Sequence, residues 1–181
     1  LGDPGRGSRI HFVYGSILHL FEPMTAGLWH FERALAAGLE AGDHVFASYA
    51  CSHTLIALIG RGVPLPAVRE RARQFLQIMG RTRVASSTAV VKLGLRVVAC
   101  LQGETDGPAS LGDESFDEAA FVEEIVGGNL GLASLWYHVI KLQLCYLEGD
   151  LPRAAVALAE AERRVMSSAW FLATELAFYR C

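Results

Sequence analysis

The chain is poor in the features that mark nucleic-acid and membrane proteins. Its 16 Lys and Arg stand against 19 Asp and Glu, a net charge of -3. There is no basic surplus to draw it to nucleic acid or to an anionic lipid surface. The longest uncharged run, residues 44–60, holds two His, two Ser and a Thr, and it is shorter than the roughly 20 apolar residues of a membrane span. Cysteine is scarce as well. Cys51, Cys100, Cys145 and Cys181 are widely separated within apolar patterns, which implies no disulfide framework and reads as reduced, buried thiols of a cytoplasmic protein. Disorder is excluded by the opposite measure, because 52% of the residues are hydrophobic, enough for a continuous core.

The opening "LGDPGRGSR" has no initiator Met, no apolar leader and no lipidation signal, so the chain reads as a piece of a longer protein. Residues 1–9 are expected to be a flexible linker and residues 10–181 a helical segment. "IHFVYGSILHLF" fits the end of a preceding helix or a strand, with helix favoured. From Pro23, Leu28, Phe31, Leu35 and Leu39 recur at spacings of three and four up to Gly42, the period of a helix with one apolar face. Asp43 can cap a helix over 44–59, which stops at "GRGVP". In "LPAVRERARQFLQIMG", Leu65, Val68, Ala72, Phe75 and Met79 share one face, with Arg69, Glu70, Arg71 and Arg73 off it.

"SSTAVVKLGLRVVACLQ" is valine-rich enough for a strand by local preference, but helical neighbours favour helix. "GETDGPASLGDES" is the one clear loop, functional or mobile. Ser115 and Glu118 are spaced as a capping box for "FDEAAFVEEIV". "LGLASLWYHVIKLQLCYLEG" is apolar nearly all round, "LPRAAVALAEA" follows Asp150, and "WFLATELAFYR" begins a last helix. The expected fold is all-α, an antiparallel helix-hairpin array of about seven or eight helices.

One device is written twice. Gly42-Asp43 is followed by Ala47, and Gly149-Asp150 by Ala154, with Leu158 and Ala161 further on. Weaker echoes pair Gly62 with Leu65 and Ala67, and Gly80 with Ala85. Chemistry needs one set of reacting groups, whereas a packing device recurs wherever its architecture recurs. A turn Gly, then small residues that let helices approach and a large one beside them, is the spacing of the tetratricopeptide motif, here in degenerate form.

The ordered series "HFERALAAGLEAGDHVFASYACSHTLIALIGRGVPLPAVRERARQFL", then "FDEAAFVEEI", "KLQLCYLEGDLPRAAVALAEAE" and "ATELAFYRC" resembles the tetratricopeptide-like helical repeat region of very large bacterial signalling proteins. In that family a serine/threonine kinase-like domain and a predicted ATPase precede the array, and a GAF domain and often a histidine kinase follow it. The resemblance implies a connector with no chemistry of its own. The family's kinase and ATPase motifs have no counterpart here: the sequence has no Gly-rich Lys-Ser/Thr phosphate loop, no His-Arg-Asp and no Asp-Phe-Gly.

Several groupings invite a functional reading. His44, Cys51 and His53 fall within ten residues, but they fall short of the held tetrahedral set a metal needs. Glu104, Asp106, Asp113, Glu114, Asp117 and Glu118, extended by Glu123 and Glu124, surround the long loop without the spacing of a calcium loop. They read as a solvated acidic face, with Glu104, Asp106, Asp113 and Glu114 as a partner-docking loop. Ser86, Ser87, Ser167 and Ser168 have no arranged base, and His138 lies in an apolar helix as a core histidine would. Trp29, Trp136 and Trp170 are expected in core packing.

The leading expectation is therefore a non-catalytic helical scaffold inside a multidomain signalling kinase or ATPase. It needs no cofactor or metal, and its partners are neighbouring domains or another protein. Two rivals stand beside it: a tetratricopeptide-like regulatory module of an ATP-dependent transcription regulator, and a helical enzyme using the acidic loop.

Overall fold

The computed structural model describes residues 3–165 and 170–180. Ser167, Ser168, Cys181 and the side chain of Trp170 lie outside the described residues. The fold is all-α. Among the described residues there are nine helices and no strand: α1 (Pro4–Leu18), α2 (Met24–Ala41), α3 (His44–Gly60), α4 (Leu65–Thr82), α5 (Ala85–Leu101), α6 (Glu118–Gly127), α7 (Gly131–Leu147), α8 (Leu151–Glu162) and α9 (Trp170–Tyr179). The chain divides into two compact units, Leu1–Leu95 and Arg96–Cys181, with the boundary inside α5.

In the first unit α1 packs along α2, α2 on α3 and α3 on α4, and α1 also reaches α3. The expected linker is corrected here, because residues 4–9 are the first turns of α1. Asp3 caps them by accepting from the Gly5 and Arg6 amides, Pro4 sits at the first helical position, and the buried Ser8 hydroxyl donates to the Ala34 carbonyl at 2.9 Å. Two glycines in a helix cost only about 1 kcal/mol each, which packing on α2 outweighs.

Gly38 shows why α2 and α3 come so close. A Cβ built there would lie 2.9 Å from Ser8 Oγ and 3.1 Å from both Cβ and N of Ala47, so the position takes no side chain without moving three helices. Ala47 is fully buried against it, as the Gly-Asp device requires. Val68, Ala72, Phe75 and Met79 of α4 are buried as well, while Leu65 is half-buried.

In the second unit α7 is central, packing on α6, α8 and α9. This explains its lack of a polar face: Leu135, Trp136, Val139, Ile140, Leu142 and Leu144 all sit inside.

Helix ends repeat one local chemistry. Gly62, Gly103 and Gly149 adopt φ of 66°, 74° and 75°, and the next residue's amide bonds five residues back: Val63 to Leu58, Glu104 to Ala99 and Asp150 to Cys145. This Schellman geometry satisfies carbonyls left over by the helix end, and its left-handed residue favours Gly. Asn129 does the same at φ 51°, with Leu130 bonded back to Ile125. Gly42 is also left-handed. The turn expected at Gly80 lies instead inside α4, and the chain turns at Arg83, φ 54°.

The Gly149 device is sharpened by the structure. Asp150 accepts from the Arg153 amide at 3.1 Å, and Ala154, Ala157 and Ala161 are buried. Leu158 is only half-buried, so small residues make most of the contact. At the Gly62 turn, Ala67 is exposed, and that echo extends to the turn alone. Replacing Ala154 or Ala161 with Leu should cost about 1 to 3 kcal/mol by overpacking, while Ala159→Leu on the exposed side should change stability by under about 0.5 kcal/mol. Urea unfolding of the three variants checks this, and equal small losses would refute the packing role.

Candidate functional site

The long loop, residues 102–117, is neither bare nor loose. Three elements of the second unit hold it: the end of α5, the start of α6 and the middle of α7. Arg96 donates from Nε to the Leu111 carbonyl at 2.7 Å and pairs with Asp113 at 2.5 Å, its guanidinium lying over the Phe116 ring. Cys100 donates from Sγ to the Pro108 carbonyl at 3.1 Å.

From the far side, Tyr137 and Lys141, one turn apart on α7, converge on Glu118. The Tyr137 hydroxyl donates to it at 2.7 Å and the Lys141 ammonium lies 2.9 Å away. The Leu111 amide donates to its other oxygen at 2.8 Å, and Lys141 also donates to the Ala109 carbonyl. Arg96 and Lys141 keep only 13% of their side-chain surface, and their charges face groups of the loop. Ion pairs this enclosed are effective only when such extra hydrogen bonds complete them.

The acids respond accordingly. Burial alone would push the Glu118 pKa up, but hydrogen bonds from Tyr137, Lys141 and the Leu111 amide outweigh it and hold the carboxyl below its ordinary value. Asp113 is held at about 2 by the Ser115 hydroxyl first and Arg96 second. The Tyr137 phenol is pushed up by burial and by its bond to Glu118.

Two expectations are therefore corrected. Ser115 is not a helix cap: its amide and hydroxyl both donate to Asp113, and Asp117 caps α6 through the Ala120 amide. Glu118 is turned into the clamp and cannot close a capping box. Of the four residues expected to dock a partner, Asp113 faces inward onto Arg96, whereas Glu104, Asp106 and Glu114 are exposed. A groove of about 400 Å³ opens beside the loop, between Cys100, Thr105, Gly107, Leu144 and Glu148.

The remaining candidates scatter. His44 is exposed, Cys51 is fully buried with its thiol pushed by burial to about 12, and His53 holds its Nδ1 2.9 Å from the Tyr49 carbonyl. No group of three or more His, Cys, Asp or Glu among the described residues could hold a metal ion. Ser87 is buried and Ser86 half-buried. His138 lies half-buried with its Nε2 enclosed and unbonded. Trp136 is in the core as expected, but Trp29 is 55% exposed, set edge-on to His11 and His30 with Arg33 over its face.

Sequence reasoning missed Arg96, Tyr137 and Lys141. The available signal was Lys141, the only Lys, Arg, Asp or Glu in α7, since a lone charge in an enclosed helix needs a partner. No helix of the described residues is long and apolar enough to cross a membrane. No protein-family model, curated protein or solved structure matches the chain.

Proposed function

We propose that this chain is a non-catalytic helical scaffold, a tetratricopeptide-like connector in a cytoplasmic multidomain signalling kinase or ATPase that holds neighbouring domains or a protein partner. The observation that carries this reading is the clamped loop. Arg96 and Lys141 fix its backbone from two sides, while Asp106, Glu114 and Asp117 stand outward with Glu123 and Glu124 of α6. A carboxylate-bearing surface on a fixed backbone is ordered before association, which lowers the entropy cost of docking a basic segment.

Phosphoryl transfer asks for other groups, a phosphate cradle, a positioned magnesium and a base. Isothermal titration of the purified protein with magnesium-ATP should show no saturable binding. Saturable, magnesium-dependent binding lost in Asp113→Ala or Asp117→Ala would overturn the scaffold reading. Reading the gene outward tests the rest: kinase-like and ATPase domains before the array with a GAF domain after it support the signalling connector, whereas a DNA-binding helix-turn-helix after it assigns the array to a transcription regulator.

A further inference from the structure

Two helices of the second unit end at the same groove. Leu101 at the close of α5 and Leu144, Leu147 and Glu148 at the close of α7 line the space of about 400 Å³ beside the loop. Its apolar lining is partly open: Cys100 and Leu144 are buried, whereas Leu101 and Leu147 are 45% and 68% exposed. Burial pushes the Cys100 thiol pKa up, so this part of the lining is uncharged. The loop side is fixed as well. The Thr105 hydroxyl donates to the Gly107 carbonyl at 3.1 Å, and the Asp106 amide to the Gly112 carbonyl at 3.0 Å. A groove shaped before its occupant arrives loses less entropy on binding.

The electrostatics at this groove have one sign. A helix C-terminus carries roughly half a negative charge on its last carbonyls, and neither α5 nor α7 has a basic residue in its last turn. The carbonyls of Leu101 and Leu147, the last helical residues, accept no backbone hydrogen bond among the described residues. Glu148 is the charged residue of the lining, exposed and in no ion pair among the described residues. Lys141, the cation that acts on Cys100, is held by Glu118 and the Ala109 carbonyl. At longer range, residues 96–181 hold 13 Asp and Glu against 6 Lys and Arg, so the surrounding field also favours a cation. Apolar walls under a negative field suit a group that is apolar in the stem and positive at the tip. We infer that the groove docks a basic amphipathic segment of a protein partner, seating an apolar side chain against Leu101 and Leu147 and a neighbouring Lys or Arg against Glu148 and the two helix ends. This rests on the reading of the clamped loop as a docking surface and names the chemistry of what docks there.

Fluorescence anisotropy of a labelled peptide built of Leu and Lys, titrated with the full chain, should show saturable binding. A peptide of Leu and Glu should not bind, and one of Gln and Lys should bind roughly tenfold more weakly. Leu147→Ser, which removes an exposed apolar wall, and Glu148→Lys, which reverses the charge of the lining, should each weaken the Leu and Lys peptide by a similar factor with unchanged helical circular dichroism. Gly107→Trp should block it by filling the groove, at a position where an added Cβ meets nothing within 4 Å. Glu40→Lys, the same charge change on the exposed side of α2, should leave binding as it was. Failure of the Leu and Lys peptide to bind overturns the inference, as does binding indifferent to the groove variants or equally tight for the Gln and Lys peptide; each of these leaves the scaffold reading standing. Failure of the scaffold reading is read separately, from saturable magnesium-ATP binding.

Discussion

Between pH 7 and pH 4 the protein should lose about 4 kcal/mol of unfolding free energy through two enclosed histidine rings that stay neutral in the fold down to about pH 4. Burial lowers the pKa of His53 and of His138 from 6.5 to about 4. His53 lies between Phe12 and Phe31, with His19 the charge that also disfavours its protonation. His138 faces Arg164 and, with opposite effect, Glu160. Both rings are neutral in the fold above pH 4 and become charged in the unfolded chain below 6.5. Their contribution is therefore complete above 6.5 and is lost as pH falls toward 4. Each full shift corresponds to about 3 kcal/mol at 1.36 per unit, discounted to about 2 because part of each residue still reaches solvent. Urea unfolding at half-unit pH steps should show the decline, with a shallower slope for His138→Gln. Constant stability from pH 7 to pH 5 would show that the folded rings take up protons freely. Asp113 acts in a separate window, its contribution present above pH 4 and lost as pH falls toward 2.

Glu118→Ala should cost about 3 kcal/mol, because it leaves the Tyr137 hydroxyl and the Leu111 amide without acceptors and removes the carboxylate facing Lys141. Glu118→Gln keeps the shape and one acceptor, and should cost about half as much. Glu123→Ala, a few residues on but exposed, should fall within about 0.5 kcal/mol. Hydrogen exchange adds a local readout: the Leu111 amide should lose protection in Glu118→Ala and keep it in Glu123→Ala. Equal stability losses for the Glu118 and Glu123 alanine variants would mean that the clamp does not hold the loop.

The helical class and most helix limits were legible because they rest on local chemistry. Gly42, Gly62 and Gly149 stop helices through their own backbone freedom, Asp43 and Asp150 cap the helices that follow, and the α4 stripe from Val68 to Met79 declares its buried face by spacing alone. Local signals misled where a distant partner outweighed them. Gly5 and Gly7 look like linker residues until Ser8 is placed against Ala34. Gly80 looks like a stop, yet α4 continues past it and turns at Arg83 instead. Trp29 sits at a helical period, yet it lies at the rim of the α1–α2 contact, edge-on to His11 and 55% exposed.

The acidic loop marks the division most clearly. Its composition announced carboxylates, and that much follows from the sequence. Which of them face solvent was settled by Arg96, 17 residues before Asp113, and by Lys141, 23 residues after Glu118. Pairing at such separations depends on how α5, α6 and α7 pack, because a charge takes the nearest partner in space, and no spacing rule along the chain encodes that distance.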